Sequence, residues 1–554
     1  MCAAIACVKM AARIMRSPSL SAWAVVAAIV LAVQLGGYPL LDPDEGRNGE
    51  VAREMAATND YVMPRLDGMP YLDKPIVYFA AEAAVMEVTG PTEFAARFPA
   101  WLFTIATAIL LAWFASRVGI DAPVAAIMFL SMPLTIAFAR TVIFDSALSF
   151  FITSALIAFY FAIENEVGRS PLTVGRVSTT ANGERRTANR WTAVAWAAMA
   201  FGVITKGPVA LAVPLIVAVP YAIWRKKARQ LASVAGLILF VLIIAPWVWA
   251  ISLAVPDFLR YVLVTETAQR LTTGALKRTG PPWYFVPYLL GGALPFWASS
   301  GWRVAGGEQD KWLQRYLLLW IAVPFVFFSL SQSKRPQYLL PLMPAIALLT
   351  ARRWEKSRAA AMVMAIFGAL ILAALPFTHL PFGAGTAIIL GCAALLFGLI
   401  AIFVRGPFAL IALTVPMLLV PLTTGGVMRS LAGRRSEKAL AADIRPLLQP
   451  DSEIIGIEAF TGSMAFYLQR PIVIVTPDGE ELASNYITRH YSGFAADPRS
   501  TIRPASWLPQ AFDRSRPRIL IVRANDRRNR AIVEQHGAQL ASADAHFVAY
   551  TMPR

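Results

Sequence analysis

Apolar runs long enough to cross a bilayer recur throughout the first 424 residues, and no other feature limits the fold as strongly. A spanning helix takes about 20 mostly apolar residues, and inside lipid its backbone polar groups must be satisfied within the segment. Such runs cover 20–38, 97–116, 122–139, 144–163, 191–205, 207–223, 231–252, 283–302, 313–330, 338–351, 359–377, 384–404 and 407–424. The composition agrees, with 57% hydrophobic and 15% charged residues among 554 and a mean hydropathy of +0.55; a soluble chain carries roughly a quarter charged residues. The reading is a polytopic α-helical membrane protein with about thirteen transmembrane helices over residues 1–424.

An odd number of spans places the termini on opposite sides. With the N-terminus in the cytoplasm, Arg117, the stretch 169–190, Arg225, Lys226, Lys227, Arg229, Arg303, Lys311, Arg352, Arg353, Lys356, Arg358 and Arg405 all become cytoplasmic, as the positive-inside bias requires. The net charge of +17 then needs no nucleic-acid partner, because that bias and anionic membrane lipids account for it. Lys9, Arg13 and Arg16 precede the first apolar run, and no small-residue cleavage site closes that run, so it reads as an uncleaved first span. Residues 75–90 contain Glu82 and Glu87 and read as an interfacial helix, because a span there would invert everything downstream. Lys206-Gly207-Pro208 interrupts a pair of segments short for two spans; a re-entrant element there would change the parity.

Residues 425–554 read as a separate extracytoplasmic α/β domain. Strand patterns cover 453–459, 471–476, 518–523 and 546–551, with helical patterns near 462–469 and 526–539. No glycine-rich phosphate loop, nucleophile elbow or internal repeat stands out. Cys2, Cys7 and Cys392 form no paired spacing, and four histidines without an HExxH exclude a His-ligated metalloprotease.

Ionisable groups near membrane level are costly and mark function by default. The densest group is Asp42-Pro43-Asp44-Glu45, just after the first span. It suits the N-cap of a helix beginning near Gly46 and equally a catalytic cavity, since the two roles are compatible. Asp145, often the position of an N-cap in such a context, falls on the same side and can converge with Asp44; paired carboxylates there suit a divalent ion of open identity or the orientation of a sugar. Arg65, Lys74, Arg260, Arg270, Lys277, Arg278, Lys334 and Arg335 are basic residues on the outer side, against the bias. Contact with lipid head groups explains some of them; a ring around a phosphate explains several at once, with Tyr338 as a hydroxyl donor. Lys206 beside a helix break fits a snorkelling side chain and ranks below these.

Ordered local segments carry a resemblance over roughly the first 340 residues: Asp44 with Arg53-Glu54-Met55, Tyr71-Leu72-Asp73-Lys74-Pro75, Phe144-Asp145, Thr205-Lys206-Gly207, Gln269-Arg270, Pro282 to Pro287, and Ser333 to Pro341. With them the chain resembles the GT-C glycosyltransferases, and more closely the bacterial lipid A aminoarabinose transferases. The resemblance implies transfer of 4-amino-4-deoxy-L-arabinose from undecaprenyl phosphate to lipid A phosphates at the periplasmic face of the inner membrane, and with it resistance to polymyxin and cationic peptides. It also implies interfacial helices over 45–95, Asp44 and Asp145 as catalytic acids, and Lys74, Arg270, Tyr338 and Tyr71 around the donor phosphate. Asp73 stands where the family has Glu, and Thr265-Glu266-Thr267 where it has a Glu-His pair, which puts a metal ligand at the second position in question. Two other functions compete: a polyprenyl-phosphate-dependent transferase acting on protein or another glycan, with Asp44 as general base, and a polyprenyl-lipid transporter, which needs polar groups continuing across the membrane.

Overall fold

The computed structural model describes residues 18–164, 181–262, 264, 280–299, 307–352, 354, 358–377 and 383–553. Among these, six helices are long and apolar enough to cross a membrane: Glu93–Val118, Asp145–Glu164, Ala228–Ala254, Glu308–Leu330, Arg358–Phe377 and Ala384–Phe403. Pro407–Thr423 and Gly425–Ala432, bent by 40°, supply a seventh if taken as one span. Shorter apolar helices occupy Ser19–Ala32, Ala122–Ser131, Val209–Trp224 and Pro336–Ala351. The chain is a multi-pass helical membrane protein. The apolar run 283–302 is not one continuous helix: Phe285–Gly292 ends at two glycines, and a turn through Pro295 leads to the short Phe296–Ala298 element. Proline lacks the donor that a continuing helix needs.

The helical core is built from interlocking aromatics. Tyr160, Tyr221, Tyr316 and Trp320 are buried together, with Tyr221 and Tyr316 ring centres 4.7 Å apart in an edge-on arrangement.

Between the first helix, Pro18–Ala32, and Glu93–Val118 lie the helix Asp44–Thr58, a small antiparallel hairpin of β1 (Arg65–Leu66) and β2 (Met69–Pro70), and the helix Val77–Thr89. Asp44 and Glu45 occupy the first turn of Asp44–Thr58, where anions are favoured, and Asn59 closes it in the left-handed region at φ 54. The helix Val77–Thr89 buries Tyr78, Phe79, Glu82, Ala83 and Met86.

The C-terminal part carries a six-stranded mixed sheet in the order β5-β4-β3-β6-β8-β7, where β3 is Glu453–Ile457, β4 Ile472–Val475, β5 Ile502–Arg503, β6 Arg518–Arg523, β7 Gln539–Ala543 and β8 Phe547–Met552. The first four in that order run parallel, while β8 and β7 close the edge antiparallel. Gly462–Leu468 and Arg527–Gln535 are helical; the pattern carried to 539 ends early because Gly537, at φ +79, stops the helix and β7 begins. One face of the sheet does not have its own core. Ile454, Ile474, Ile519 and Phe466 belong to the same buried cluster as Leu40, Val51, Tyr71, Phe79 and Phe144.

Candidate active site

The chain folds so that six separate segments open onto one cavity of about 250 Å³, the last of them Ala483 and Asn485 of the C-terminal part. The helix Asp44–Thr58 supplies Asp44, Arg47 and Asn48, which fall on one face by their i, i+3, i+4 spacing. The turn after β2 supplies Tyr71, Asp73 and Lys74, and the first turn of Asp145–Glu164 supplies Asp145. Lys206 ends its helix at the cavity because Gly207, at φ +90, takes a conformation that L side chains avoid and Pro208 starts the next helix. Arg335 and Tyr338 come from the connection after Glu308–Leu330, and Phe327 and Phe328 form an apolar wall.

The charges are paired across these segments. Asp44 Oδ1 accepts from Arg47 Nη2 at 2.7 Å and its Oδ2 accepts from Arg335 Nη1 at 3.0 Å. Burial works against ionisation of Asp44, but Arg47 and Arg335 overcome it and hold the carboxyl down at about 2. Arg47 also donates to Ala483 O at 3.0 Å and lies 5.8 Å from the centre of the Tyr71 ring. Lys206 Nζ donates to Asp145 Oδ1. That pair joins a helix N-terminus bearing the acid to a helix C-terminus bearing the base, the arrangement that both backbone dipoles favour. The second Asp145 oxygen is buried without a hydrogen-bond partner, and the Lys206 ammonium lies 5.3 Å from the centre of the Tyr338 ring.

Asp44, Asp145, Lys74, Tyr71 and Tyr338 all line this cavity; Arg270, with Lys277 and Arg278, lies outside the described residues. Arg335 joins them, but its neighbour Lys334 does not: its ammonium turns back to Ser329 O and Ser331 O at 2.7 and 2.6 Å and satisfies the end of the preceding helix. Arg65 pairs with Asp60, and Arg260 is exposed away from the cavity. Arg47 and Lys206 are the additions. For Arg47 the signal was present in its helical spacing from Asp44; for Lys206 nothing in the local sequence says which acid it meets.

The acid pair does not fit a divalent cation among the described residues. Arg47 and Arg335 occupy both Asp44 oxygens, Lys206 occupies one Asp145 oxygen, and Asp73 turns its carboxylate to Asn485 N, Tyr486 N and the Tyr261 hydroxyl at 2.8, 2.9 and 2.6 Å. With Arg47, Lys74, Lys206 and Arg335 around it, the space is complementary to an anion rather than to a metal ion.

The family model described as dolichyl-phosphate-mannose-protein mannosyltransferase matches residues 50–262. Curated undecaprenyl phosphate-alpha-4-amino-4-deoxy-L-arabinose arabinosyl transferases from Serratia proteamaculans and Aeromonas salmonicida are 31% and 30% identical over 351 and 342 residues, which is 61% and 60% of this chain. These arabinosyl transferases are its homologues. The matched region spans 60% and 59% of the length of those two relatives. The crystal structure of ArnT from Cupriavidus metallidurans bound to undecaprenyl phosphate superposes with a TM-score of 0.78 at 22% identity, covering 97% of this chain and 98% of that one. The polytopic GT-C fold that the motifs imply is the fold of this chain.

Proposed function

We propose that the chain transfers 4-amino-4-deoxy-L-arabinose from undecaprenyl phosphate, the sugar and donor in its relatives' name, to a phosphate group of lipid A, from a cavity on the periplasmic side of the inner membrane. The observation that supports this reading most is the convergence of Arg47, Lys74, Lys206 and Arg335 around Asp44 and Asp145, beside the apolar wall of Phe327 and Phe328. A polyprenyl phosphate needs both: an apolar surface for the lipid and cations for its head group.

In the reaction the bond between the sugar anomeric carbon and the donor phosphate oxygen breaks, and an acceptor oxygen forms the new bond. Charge grows on the departing phosphate, and cations already in place stabilise it without reorganising. Lys74, Lys206 and Arg335 are the candidates for that role, with Tyr338 and Tyr71 as hydroxyl donors and Arg270 as a further cation of this group.

The state of Asp44 favours a phosphate acceptor over a hydroxyl. A general base works best with a pKa near the working pH, and a carboxylate held at about 2 is a poor acceptor for a hydroxyl proton. A phosphomonoester has its second pKa near 6 and is largely dianionic at neutral pH, so it needs no strong base. In this reading Asp44 holds Arg47 and Arg335 in place and orients the sugar ammonium. The test is purified protein in detergent with the donor lipid and lipid A, read by mass spectrometry: a gain of one pentosamine on lipid A supports the reading, and transfer only to a protein or a hydroxyl glycan replaces it.

A further inference from the structure

Away from the cavity, Glu437, Asp544 and His546 each bring one potential ligand atom within 4.8 Å of the others. Glu437 follows the last helical stretch of the membrane part, and Asp544 and His546 lie in the turn joining β7 to β8. The Glu437 residue is 2% exposed. Its Oε2 has no hydrogen-bond partner, and its Oε1 lies 3.3 Å from His546 Nδ1. An ionised carboxylate only accepts, so this buried oxygen beside the Asp544 carboxylate is costly unless a proton shared between the two acids or a bound cation completes the group. Asp544 is held for the purpose by its own turn, its Oδ1 accepting from His546 N and Phe547 N at 2.8 Å each.

We propose that Glu437, Asp544 and His546 form a binding site for a divalent cation of the zinc type. Ligands at about 2.0–2.2 Å from a tetrahedral zinc stand roughly 3.3–3.5 Å apart, and the Glu437–His546 separation of 3.3 Å already has this value. The remaining spacings lie within 4.8 Å, and His546, whose side chain is 45% exposed, opens the site to solvent. One imidazole nitrogen with two carboxylate oxygens suits zinc; calcium takes six to eight oxygen ligands. The role is structural. Glu437 N donates to Ser463 Oγ at 2.9 Å, and Ser463 hydrogen-bonds Asp42 through both its backbone N and its hydroxyl. A cation here fastens the strand edge of the C-terminal sheet to the segment that sets Asp42, two residues from Asp44.

The experiment uses the full chain in detergent without a polyhistidine tag, stripped with a chelator and returned to Zn²⁺, with metal content by mass spectrometry and affinity by competition with a chromophoric chelator. Wild type is expected to retain one equivalent of Zn²⁺, and His546→Ala and Asp544→Asn, both at the sheet edge, to bind on the order of tenfold more weakly or worse. Zn²⁺ is also expected to raise the unfolding temperature of wild type, to leave that of His546→Ala unchanged, and Ca²⁺ to do neither. Folded wild type that takes up no Zn²⁺, variants that bind as wild type does, or equal stabilisation by Ca²⁺ each overturn the proposal and leave the trio as a histidine–carboxylate cluster.

Discussion

Asp42, Asp44 and Glu45 are neighbours in sequence and face three different partners. Asp42 accepts from Ser463 of the C-terminal part. Asp44 faces the cavity between Arg47 and Arg335. Glu45, 3% exposed, is bonded by the fully buried Arg97 and by Val142 N. The sequence marks the run as acidic and functional, yet only the helical register separates these fates: Arg47 and Asn48 lie on the Asp44 side because they are three and four residues on. Replacing Asp44 by Asn is expected to lower turnover by about a hundredfold or more, the usual scale for one preorganised electrostatic contact, with little change in folding; near-full turnover contradicts its role. The same carboxyl is depressed in the folded chain, so its contribution is present above the ordinary value near 4 and is lost only as pH falls through about 2. Rate profiles between pH 5 and 8 therefore carry no acid limb from Asp44, and a limb that disappears in Asp44→Asn contradicts this. Lys206 is the residue whose weight the sequence hid, because Asp145 reaches it from another helix. Lys206→Met leaves a buried carboxylate alone at a cost of about 3–5 kcal/mol, expected as a lower unfolding temperature in detergent; adding Asp145→Asn restores stability but not turnover.

At the scale of elements, two helix N-termini touch backbone to backbone. A Cβ on Gly462 would meet Arg47 N at 2.1 Å, and one on Gly46 would meet Ser463 N at 2.4 Å. Both contacts are with main chain, which does not give way cheaply. Gly462→Ala is expected to push the helix Gly462–Leu468 off the helix that carries Asp44 and Arg47, with loss of both stability and transfer activity; a variant indistinguishable from wild type in both shows that the contact is not needed. The β1–β2 hairpin gives a second test. Burial, with Glu54 nearby, raises the Asp67 carboxyl to about 7. A raised acid favours the folded state most fully below its ordinary value near 4, and that advantage is lost as pH rises through 7. Wild type should therefore lose stability between pH 5 and 8, and Asp67→Asn should flatten that slope; an unchanged slope contradicts the assignment. Apolar length located helices such as Glu93–Val118, Asp145–Glu164 and Ala384–Phe403, but it also marked 122–139, which breaks at Met132-Pro133, and 283–302, which is not one helix; strand alternation located β3, β4, β6 and β8. The two-residue β1, β2 and β5 are too short for periodicity to register, and β7, with Leu540 exposed, lacks a buried alternating face.

For the whole molecule, the shared core makes the C-terminal part more than an appendage. Asp67 and Asp73 accept backbone hydrogen bonds from Ile472, Asn485 and Tyr486, and Ala483 and Asn485 line the cavity itself. The composition change near residue 424 reads as a domain boundary, but a sequence gives no sign that one face of the sheet is completed by residues 40–90. Truncation after residue 424 is expected to abolish transfer and lower the yield of folded protein, because buried acceptors and apolar side chains lose their cover; an active truncated chain contradicts that dependence. The proposed transfer requires a lipid phosphate seated among the cavity cations. The direct measurement is a cryo-electron microscopy structure of the full chain with undecaprenyl phosphate. It should place the phosphate within hydrogen-bond distance of Lys74, Lys206 or Arg335, with the lipid along Phe327 and Phe328; a phosphate bound away from all of these residues contradicts the account.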